Sequence, residues 1–203
     1  FGRLSEILYD TFYTVSPYKH TTIGSMKDLD AASVEDVRDF HNTFYVPSNA
    51  TIAVVGDFDM AQAKELVTKY FGRVPKSDRV ITREYAREKP FKAERRVTVN
   101  EAWPLPAVIV AYPITFDGHP DSYPLHLTSK ILSDGDSSRI YQSLVYEKGI
   151  ALSAFGGGNI IEEPNLFFAV ALVAPGHTHE EVEKALIAEF DKLRTEPISE
   201  RQL

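Results

Sequence analysis

The sequence predicts an α+β fold built from two tandem related modules, each a mixed, mainly antiparallel sheet with helices packed on one face. Three observations lead to this prediction. Amphipathic segments with apolar residues at helical spacing alternate with short β-branched runs along the chain. The hairpin-length spacing between Leu152 and Val173 favours antiparallel pairing. A strand–turn–helix unit occurs after Thr51 and again after Phe168, and chance similarity of so common a unit is the alternative to a true repeat.

The first quarter of the chain predicts two helices. One covers residues 3–13 and ends before Ser16-Pro17, because the residue before proline is pushed out of the α region. The second begins at Ser33 as N-cap, with Asp36 as a weak capping-box partner, and continues towards Pro47. Its predicted inner face consists of five residues: Val34, Val37, Phe40, His41 and Phe44.

A strand and a third helix follow. Residues 50–55 form a β-branched apolar run that predicts a buried strand, and Asp59 is placed to cap the next helix. Gly72 lies where a C′ glycine is expected, and Pro75 blocks continuation. The apolar stripe of this helix contains Ala63, Leu66, Val67, Tyr70 and Phe71.

Residues 76–95 interrupt the pattern of elements. More than half of the positions in this stretch are charged, and no helical period persists. We interpret the segment as an ordered but exposed connector between two domains. A basic patch for an acidic partner is the alternative, but Glu84, Glu88 and Glu94 interrupt its positive charge.

The second half of the chain predicts strands and helices in a mixed order. Strands are expected at 96–99, 107–113, 151–155 and 165–174, and helices at 121–132, 138–148 and 180–193. The inward residues expected on the three helices are Leu125, Ser129 and Leu132, then Ile140, Leu144 and Val145, then Val182, Leu186 and Phe190.

Composition excludes several classes of function. The 203 residues carry 22 Lys+Arg against 29 Asp+Glu, for a net charge of −7, and 43% of them are hydrophobic. These globular values argue against disorder, the lack of a basic stripe argues against a nucleic-acid partner, and no apolar run approaches the ~18 residues of a membrane span. The absence of Cys removes disulfides, thiolate zinc sites and Cys nucleophiles.

No self-contained catalytic motif is present. The sequence lacks H-E-x-x-H, H-x-x-E-H, G-x-S-x-G and G-x-G-x-x-G. His177 and His179 lie in a turn before a helix. We expect His179 to cap that helix or to be solvated rather than to bind a metal ion. The glycines at 156–158 are interpreted as a strand end or bulge in preference to an anion cradle.

Several motifs resemble peptidase family M16, which includes pitrilysin, insulysin and the mitochondrial processing peptidase. The matching stretches occur in the family's order and cover nearly the whole chain, with the strongest similarity to bacterial members of the processing-peptidase type. They are YKHTTIGSMKDL (18–29), FHNTFYVPSNATIAVVGDFD (40–59), KYFGRVP (69–75) and LSDGDSSRIYQSLVYEKGIAL (132–152).

The resemblance implies the LuxS/MPP-like metallohydrolase fold and a clam-shell zinc metallopeptidase. The family binds zinc on an H-x-x-E-H helix in its N-terminal domain, and this chain contains no such helix, so the resemblance assigns it no catalytic residue and no metal ligand. Zinc is expected in the intact protein. Residues 1–75 resemble the last part of a first M16 domain, and residues 96–203 resemble most of a second domain, truncated at its end.

The resemblance also suggests a substrate-facing turn. A glycine-rich substrate loop precedes the matching "SRLY" pattern in the family's non-catalytic subunit, whereas the corresponding turn here is short and holds one glycine. The residues expected to face the substrate chamber are Asp134, Gly135, Asp136 and Arg139.

The resulting hypothesis is a fragment of an M16-type zinc metallopeptidase that forms chamber wall and part of the peptide-binding surface. The alternative is a non-catalytic M16 homologue acting as a partner or scaffold subunit, and an H-x-x-E-H motif in the remainder of the protein would decide between them. Expected partners are a peptide or unfolded polypeptide substrate and either the missing N-terminal M16 region or a partner M16 subunit. The sequence leaves the compartment open between the bacterial periplasm and cytoplasm, with the periplasm slightly favoured because bacterial relatives are often exported.

Overall fold

The computed structural model describes residues 2–200 and divides into two units, one ending at Val97 and the other beginning at Thr98. Helices α1 to α4 belong to the first unit, and β1 to β3 with α5 to α7 belong to the second. In chain order the elements are α1 (Gly2–Phe12), α2 (Met26–Ala31), α3 (Val34–Phe44), α4 (Met60–Phe71), β1 (Ala107–Ile114), α5 (Ser122–Ser133), α6 (Arg139–Tyr141), β2 (Ala151–Gly158), β3 (Asn165–Val173) and α7 (His179–Thr195). None of the helices described is long and apolar enough to cross a bilayer.

A three-stranded antiparallel sheet forms the centre of the second unit. Its strand order is β1-β3-β2, so β3 lies between the other two. Ala111 is opposite Phe168 in the first pair and Phe155 is opposite Val170 in the second. The antiparallel pairing predicted from the spacing of residues 152 and 173 is therefore confirmed.

Helices α5, α6 and α7 cover one face of this sheet and enclose the core. Every second residue of β3 from Phe167 to Val173 points into that core. The helices contribute side chains that are fully buried: Leu132, Ile140, Leu144, Val182 and Leu186. Burial of such aliphatic side chains stabilises a fold by roughly 1.5–3 kcal/mol each. The predicted α+β class, with helices on one face of a mainly antiparallel sheet, is confirmed.

The helix predicted over 138–148 forms with a change of geometry inside it. After α6, residues Gln142–Glu147 continue as a π-helix. The N–H of Lys148 donates to the carbonyl of Ser143 at 3.1 Å, which is the i→i+5 bond of that wider turn. The segment ends where the N–H of Ile150 donates to the carbonyl of Leu144, directly before β2.

Charged residues of the predicted connector form hydrogen bonds with the C-terminal end of α1 and the residues that follow it. The Glu88 carboxylate accepts the backbone N–H groups of Thr14, Val15 and Ser16 at 2.9, 3.0 and 3.2 Å. The Arg95 guanidinium donates to the carbonyl of Phe12 at 2.6 Å and so satisfies an acceptor that a helix end leaves open. This part of the connector is therefore held against α1.

Helix starts follow the predicted capping signals, with one difference at a helix end. Asp36 N–H donates to Ser33 Oγ while Ser33 N–H donates to the Asp36 carboxylate, which completes the capping box of α3. Asp59 caps α4 as expected. At α7 the cap is Thr178, and His179 is exposed, which is the second of the two alternatives predicted for it. Gly72 has φ −63°, so it ends α4 without the left-handed C′ conformation that was predicted.

Two predicted strands do not form among the described residues, and the first unit leaves its apolar faces open. Segments 50–55 and 96–99 pair with no other strand of the described chain. Val55 is 95% exposed, and the predicted inner faces of α3 and α4 are exposed as well, including Val34, Phe40 and Tyr70. The residue patterns of α3, α4 and segment 50–55 correctly indicate elements with an apolar face. Residues 2–97 contain no sheet or helix layer against which those apolar faces pack.

Candidate functional site

The turn predicted to face a substrate chamber connects α5 to α6 and is exposed. Asp134 forms an ion pair with Lys130 on the preceding turn of α5, with 2.5 Å between Nζ and Oδ2. Gly135 has φ +73°, a left-handed conformation that glycine adopts without strain. The Asp136 carbonyl accepts a hydrogen bond from the Gln142 side chain at 2.6 Å. The contacts of Asp134 and Asp136 close the turn on itself, as its Asp-Gly-Asp sequence favours.

Arg139 follows that turn as the first residue of α6 and is half-buried. The structure therefore brings the four predicted residues together on one short segment of 134–139. The neighbouring Ser138 hydroxyl is buried and has no hydrogen-bond partner among the described residues.

The histidines near α7 lie within hydrogen-bond distance of neighbouring glutamates. His177 Nδ1 lies 2.9 Å from the Glu181 carboxylate, and His179 Nε2 lies 3.0 Å from Glu180. Across residues 2–200 no three His, Cys, Asp or Glu side chains are grouped so that they could hold a metal ion. The residues described here do not fit the zinc site of a peptidase.

A cavity of about 380 Å³ lies beside the end of β1 and the start of α5. Asp121 is the one ionisable side chain among the residues that line it, and Pro113, Leu125 and Thr128 are typical of the remainder. Outside this lining, His119 Nδ1 lies 3.6 Å from the Asp121 carboxylate and accepts the Asp121 backbone N–H at 3.1 Å. These two residues therefore hold each other in the turn that leads into α5.

Both outer strands of this sheet, β1 and β2, have an edge that no other strand of the described residues covers, and the edge of β2 is the candidate recognition element. In the sheet order β1-β3-β2, this strand has a neighbour on one side, and no strand of residues 2–200 pairs with its other side. Asn159 N–H donates to the carbonyl of Leu166, so the residues in phase with Asn159 bond to β3. Since backbone direction alternates along a strand, Ala154, Gly156 and Gly158 direct their N–H and C=O groups to the open side.

Two large apolar side chains flank this edge. Leu152 is 51% exposed and Phe155 is 49% exposed. The pairing with β3 shifts by one residue between Ala151 and Ser153, which makes Leu152 the extra residue of a β-bulge. An unpaired edge with apolar neighbours is a template for another extended chain.

Glycine at position 156 allows β2 to approach β3 closely. A Cβ at this position would collide with the Phe168 carbonyl oxygen and would lie 2.9 Å from Ala169 Cα. Backbone atoms of a central strand cannot give way as a flexible side chain can, so the strand pairing here requires glycine. The prediction that residues 156–158 are a strand end is confirmed, because they are the last three residues of β2.

Ser129 on α5 occupies the far end of the open edge. The Gly158 N–H donates to Ser129 Oγ at 3.2 Å. A Cβ on Gly157 would lie 3.2 Å from the same oxygen, which is tighter than most such contacts. Ser129 therefore satisfies the outward-facing N–H that a strand partner would otherwise take.

The edge of β2 was not predicted as a site. The pattern of residues 151–155 predicts a strand, but it carries no signal for which strand of the sheet is outermost, since strand order depends on contacts between distant residues. The available clue was the presence of two large apolar residues, Leu152 and Phe155, among small ones.

Comparisons with known proteins agree with this architecture. The chain is 29% identical over 204 residues to the zinc protease PqqE of Helicobacter pylori, covering 100% of this chain and 46% of that protein. The crystal structure of a protease from Helicobacter pylori matches with a TM-score of 0.91 at 28% identity, covering 99% of this chain and 49% of that one. A peptidase M16 inactive domain from Pseudomonas fluorescens matches with a TM-score of 0.79 at 19% identity, covering 98% of this chain and 47% of that one.

The chain thus spans about half the length of the relatives it matches. The family model described as the peptidase M16 inactive domain matches residues 31–203, which include most of the first unit and all of the second. Because this model matches most of the chain, the chain belongs to peptidase family M16, in the part of the family described as the inactive domain.

Proposed function

We propose that this chain is the non-catalytic part of an M16-type zinc peptidase and that it binds peptide substrate along the open edge of β2. The unpaired edge, with Leu152 and Phe155 beside it, is the observation that carries the proposal. Its relatives are named zinc proteases, and a protease acts on polypeptide. An extended peptide is the ligand whose backbone complements a strand edge.

Binding rests on main-chain hydrogen bonds and on apolar contact. Ala154 and Gly156 supply the outward N–H and C=O groups, and each net hydrogen bond contributes about 0.5–1.5 kcal/mol. Leu152 and Phe155 provide apolar surface for side chains of the peptide. Affinity from so few contacts is modest, which suits a surface that holds substrate while hydrolysis occurs elsewhere in the intact protein.

Zinc and hydrolysis belong, in this proposal, to residues of the intact protein outside the chain. Residues 1–203 contain no H-x-x-E-H motif, and those described hold no metal-ligand group. The metal supplies the activation of a water molecule in zinc peptidases. The contribution of this chain is to bind and orient the polypeptide.

The proposal extends to the domain plan and to the turn after α5. Residues 1–75 are the end of a first M16 domain, 76–95 a connector and 96–203 most of a second domain. The exposed apolar faces of α3 and α4 support this plan, because a domain that lacks part of its sheet leaves such faces uncovered.

Asp134, Gly135, Asp136 and Arg139 face the substrate chamber in the same proposal, and the exposure of their turn is compatible with that role.

The test uses backbone-modified peptides with the 203-residue chain. An alternating Thr–Val decapeptide is compared with a version N-methylated on every amide and with a version N-methylated on the Val amides alone. We expect full methylation to weaken binding by at least about tenfold, because no backbone donor remains. The peptide methylated on the Val amides alone is the control, since the Thr amides on its opposite edge can still pair with β2.

Hydrogen exchange locates the bound peptide. The amides of Ala154 and Gly156 should exchange more slowly when the parent peptide is bound, whereas the Phe155 amide, which already bonds to β3, should not change. Equal binding of the parent and the fully methylated peptide, or protection elsewhere than on β2, would refute the proposed function.

A further inference from the structure

We propose that Ser129 is a specificity-determining residue that ends the peptide-pairing part of β2 at Gly158. The inference rests on the proposed function, since it concerns the length of peptide that the same edge accepts. We call Ser129 a register stop, meaning a side chain that accepts a hydrogen bond from the last outward-facing N–H of the strand.

The hydrogen bond from Gly158 to Ser129 is the first observation. Gly158 belongs to the same alternating set as Ala154 and Gly156, whose polar groups point away from β3. Its N–H is 3.2 Å from Ser129 Oγ and is therefore already satisfied by α5. A peptide that extended past Gly156 would have to displace this hydroxyl to gain a bond.

The glycine at position 157 is a second, independent observation. Any larger residue there would place its Cβ 3.2 Å from Ser129 Oγ, whereas glycine leaves room for the hydroxyl at the strand. Ser129 is half-buried within α5, and its own carbonyl accepts a bond from the Ser133 hydroxyl at 3.0 Å. The hydroxyl is therefore held by a packed helix rather than by a loop.

The consequence is a short slot that is closed at one end. Ala154 and Gly156 remain available for pairing. At Gly158 the N–H is already taken, and a peptide could reach the outward carbonyl of this residue only by displacing the Ser129 hydroxyl that lies on the same side. Affinity should therefore rise with peptide length only until this part of the edge is filled.

Two sets of alternating Thr–Val peptides test the inference, one lengthened from four to ten residues at the amino end and the other at the carboxyl end. For the unaltered 203-residue chain, we expect the Kd to stop falling at one of the two ends once the peptide reaches Gly156. In Ser129→Ala the Gly158 N–H is free, and the Kd should keep falling for about two more residues at that end. One net hydrogen bond corresponds to a fall of about 2- to 12-fold.

His126→Ala is the matched control, because this residue is exposed on the same helix as Ser129. It should reproduce the length dependence of the unaltered chain. Thermal unfolding of both variants verifies that they fold. Hydrogen exchange adds a measurement that needs no variant: bound peptide should slow the Ala154 and Gly156 amides and leave the Gly158 amide unchanged.

The possible results separate the two proposals. If no peptide binds to the unaltered chain, the proposed function fails and the register stop fails with it. If peptides bind on β2 but Ser129→Ala leaves the length dependence unaltered, or if the Gly158 amide gains protection in the unaltered chain, the register stop is wrong and the proposed function stands.

Discussion

Glu88 shows how one side chain can hold a charged segment against a helix. Its burial raises the pKa, but the hydrogen bonds from the backbone N–H groups of Val15, Thr14 and Ser16 outweigh this and lower the pKa of Glu88 to about 2. The ionised carboxylate is therefore the form that the folded chain binds. The connector is attached to α1 by a contact that depends on this charge.

Acid should loosen the contact. The folded pKa of Glu88 is lower than its ordinary value of 4.5, so its contribution to stability is complete above about pH 4.5 and is lost as the pH falls towards 2. Glu88→Gln should remove part of the acid sensitivity of unfolding between pH 5 and pH 2.5, measured as the urea midpoint at each pH. Glu84→Gln, in the same exposed segment, is the control. Identical pH profiles for Glu88→Gln and the unaltered chain would contradict the assignment.

At the scale of elements, the π-helix is tied to α7 by a buried carboxylate. The Glu189 side chain is 3% exposed and accepts a bond from Lys192 Nζ at 2.8 Å, while Lys148 Nζ lies 4.0 Å away. Lys148 also donates to Ser143 Oγ at 2.9 Å, inside the π-helix. Hydrogen bonding by Glu189 raises the pKa of Lys192, which keeps that partner charged. These contacts connect α7 to the segment that leads into β2.

Removing the charge of Glu189 should destabilise the second unit. Glu189→Gln leaves two ammonium groups without their carboxylate, and because both lysines are partly solvated we expect a loss of about 1–3 kcal/mol in the free energy of unfolding, below the ~3–5 kcal/mol of a fully buried pair. Asp191→Asn is the control, since its 3.6 Å pair with Arg194 is exposed and should change stability by less than about 1 kcal/mol. Urea denaturation measures both. Equal effects of the two substitutions would show that burial of Glu189 does not increase its contribution to the free energy of unfolding.

At the scale of the whole molecule, the two units differ in how much of their apolar surface is covered. The second unit encloses a contiguous core around β3. In the first unit the buried apolar side chains are Phe12, Tyr13 and Val46, whereas α3, α4 and segment 51–55 expose theirs. Burial of apolar surface is the main source of stability, so the two units should not be equally stable.

Hydrogen exchange should reveal this difference in the 203-residue chain. We expect the amides of β3 to be the most protected, and those of α3 and α4 to exchange at least about 100-fold faster, because a difference of about 2.7 kcal/mol in local opening produces that ratio. Helices α5 and α7 are the control, since they have comparable length and a buried face. Protection of α3 and α4 equal to that of α5 and α7 would contradict the expectation and would weaken the proposed domain plan.

Local chemistry was predictable wherever neighbouring residues decide the outcome. The capping box of Ser33 and Asp36, the cap of Asp59 and the inward face of α7 all follow from side chains a few positions apart, and the structure confirms them. Of the inward residues predicted on α5, Leu132 lies in the core. The antiparallel class was predictable for a related reason, since a short connection limits how two strands can pair. Gly72 was wrong as a C′ glycine, since its φ of −63° is right-handed. At α7 the adjacent Thr178 rather than His179 takes the capping role.

The sequence by itself determined the family, the fold class and the absence of a zinc-binding motif from these 203 residues, since each depends on patterns of residue type and spacing. Only the tertiary structure decided that β2 is an edge strand, that Ser129 satisfies the last outward N–H of that edge, and that segment 51–55 lacks a partner within the described chain. The physical reason is that an amphipathic pattern specifies which face of an element seeks a partner, whereas long-range contacts specify whether a partner is there.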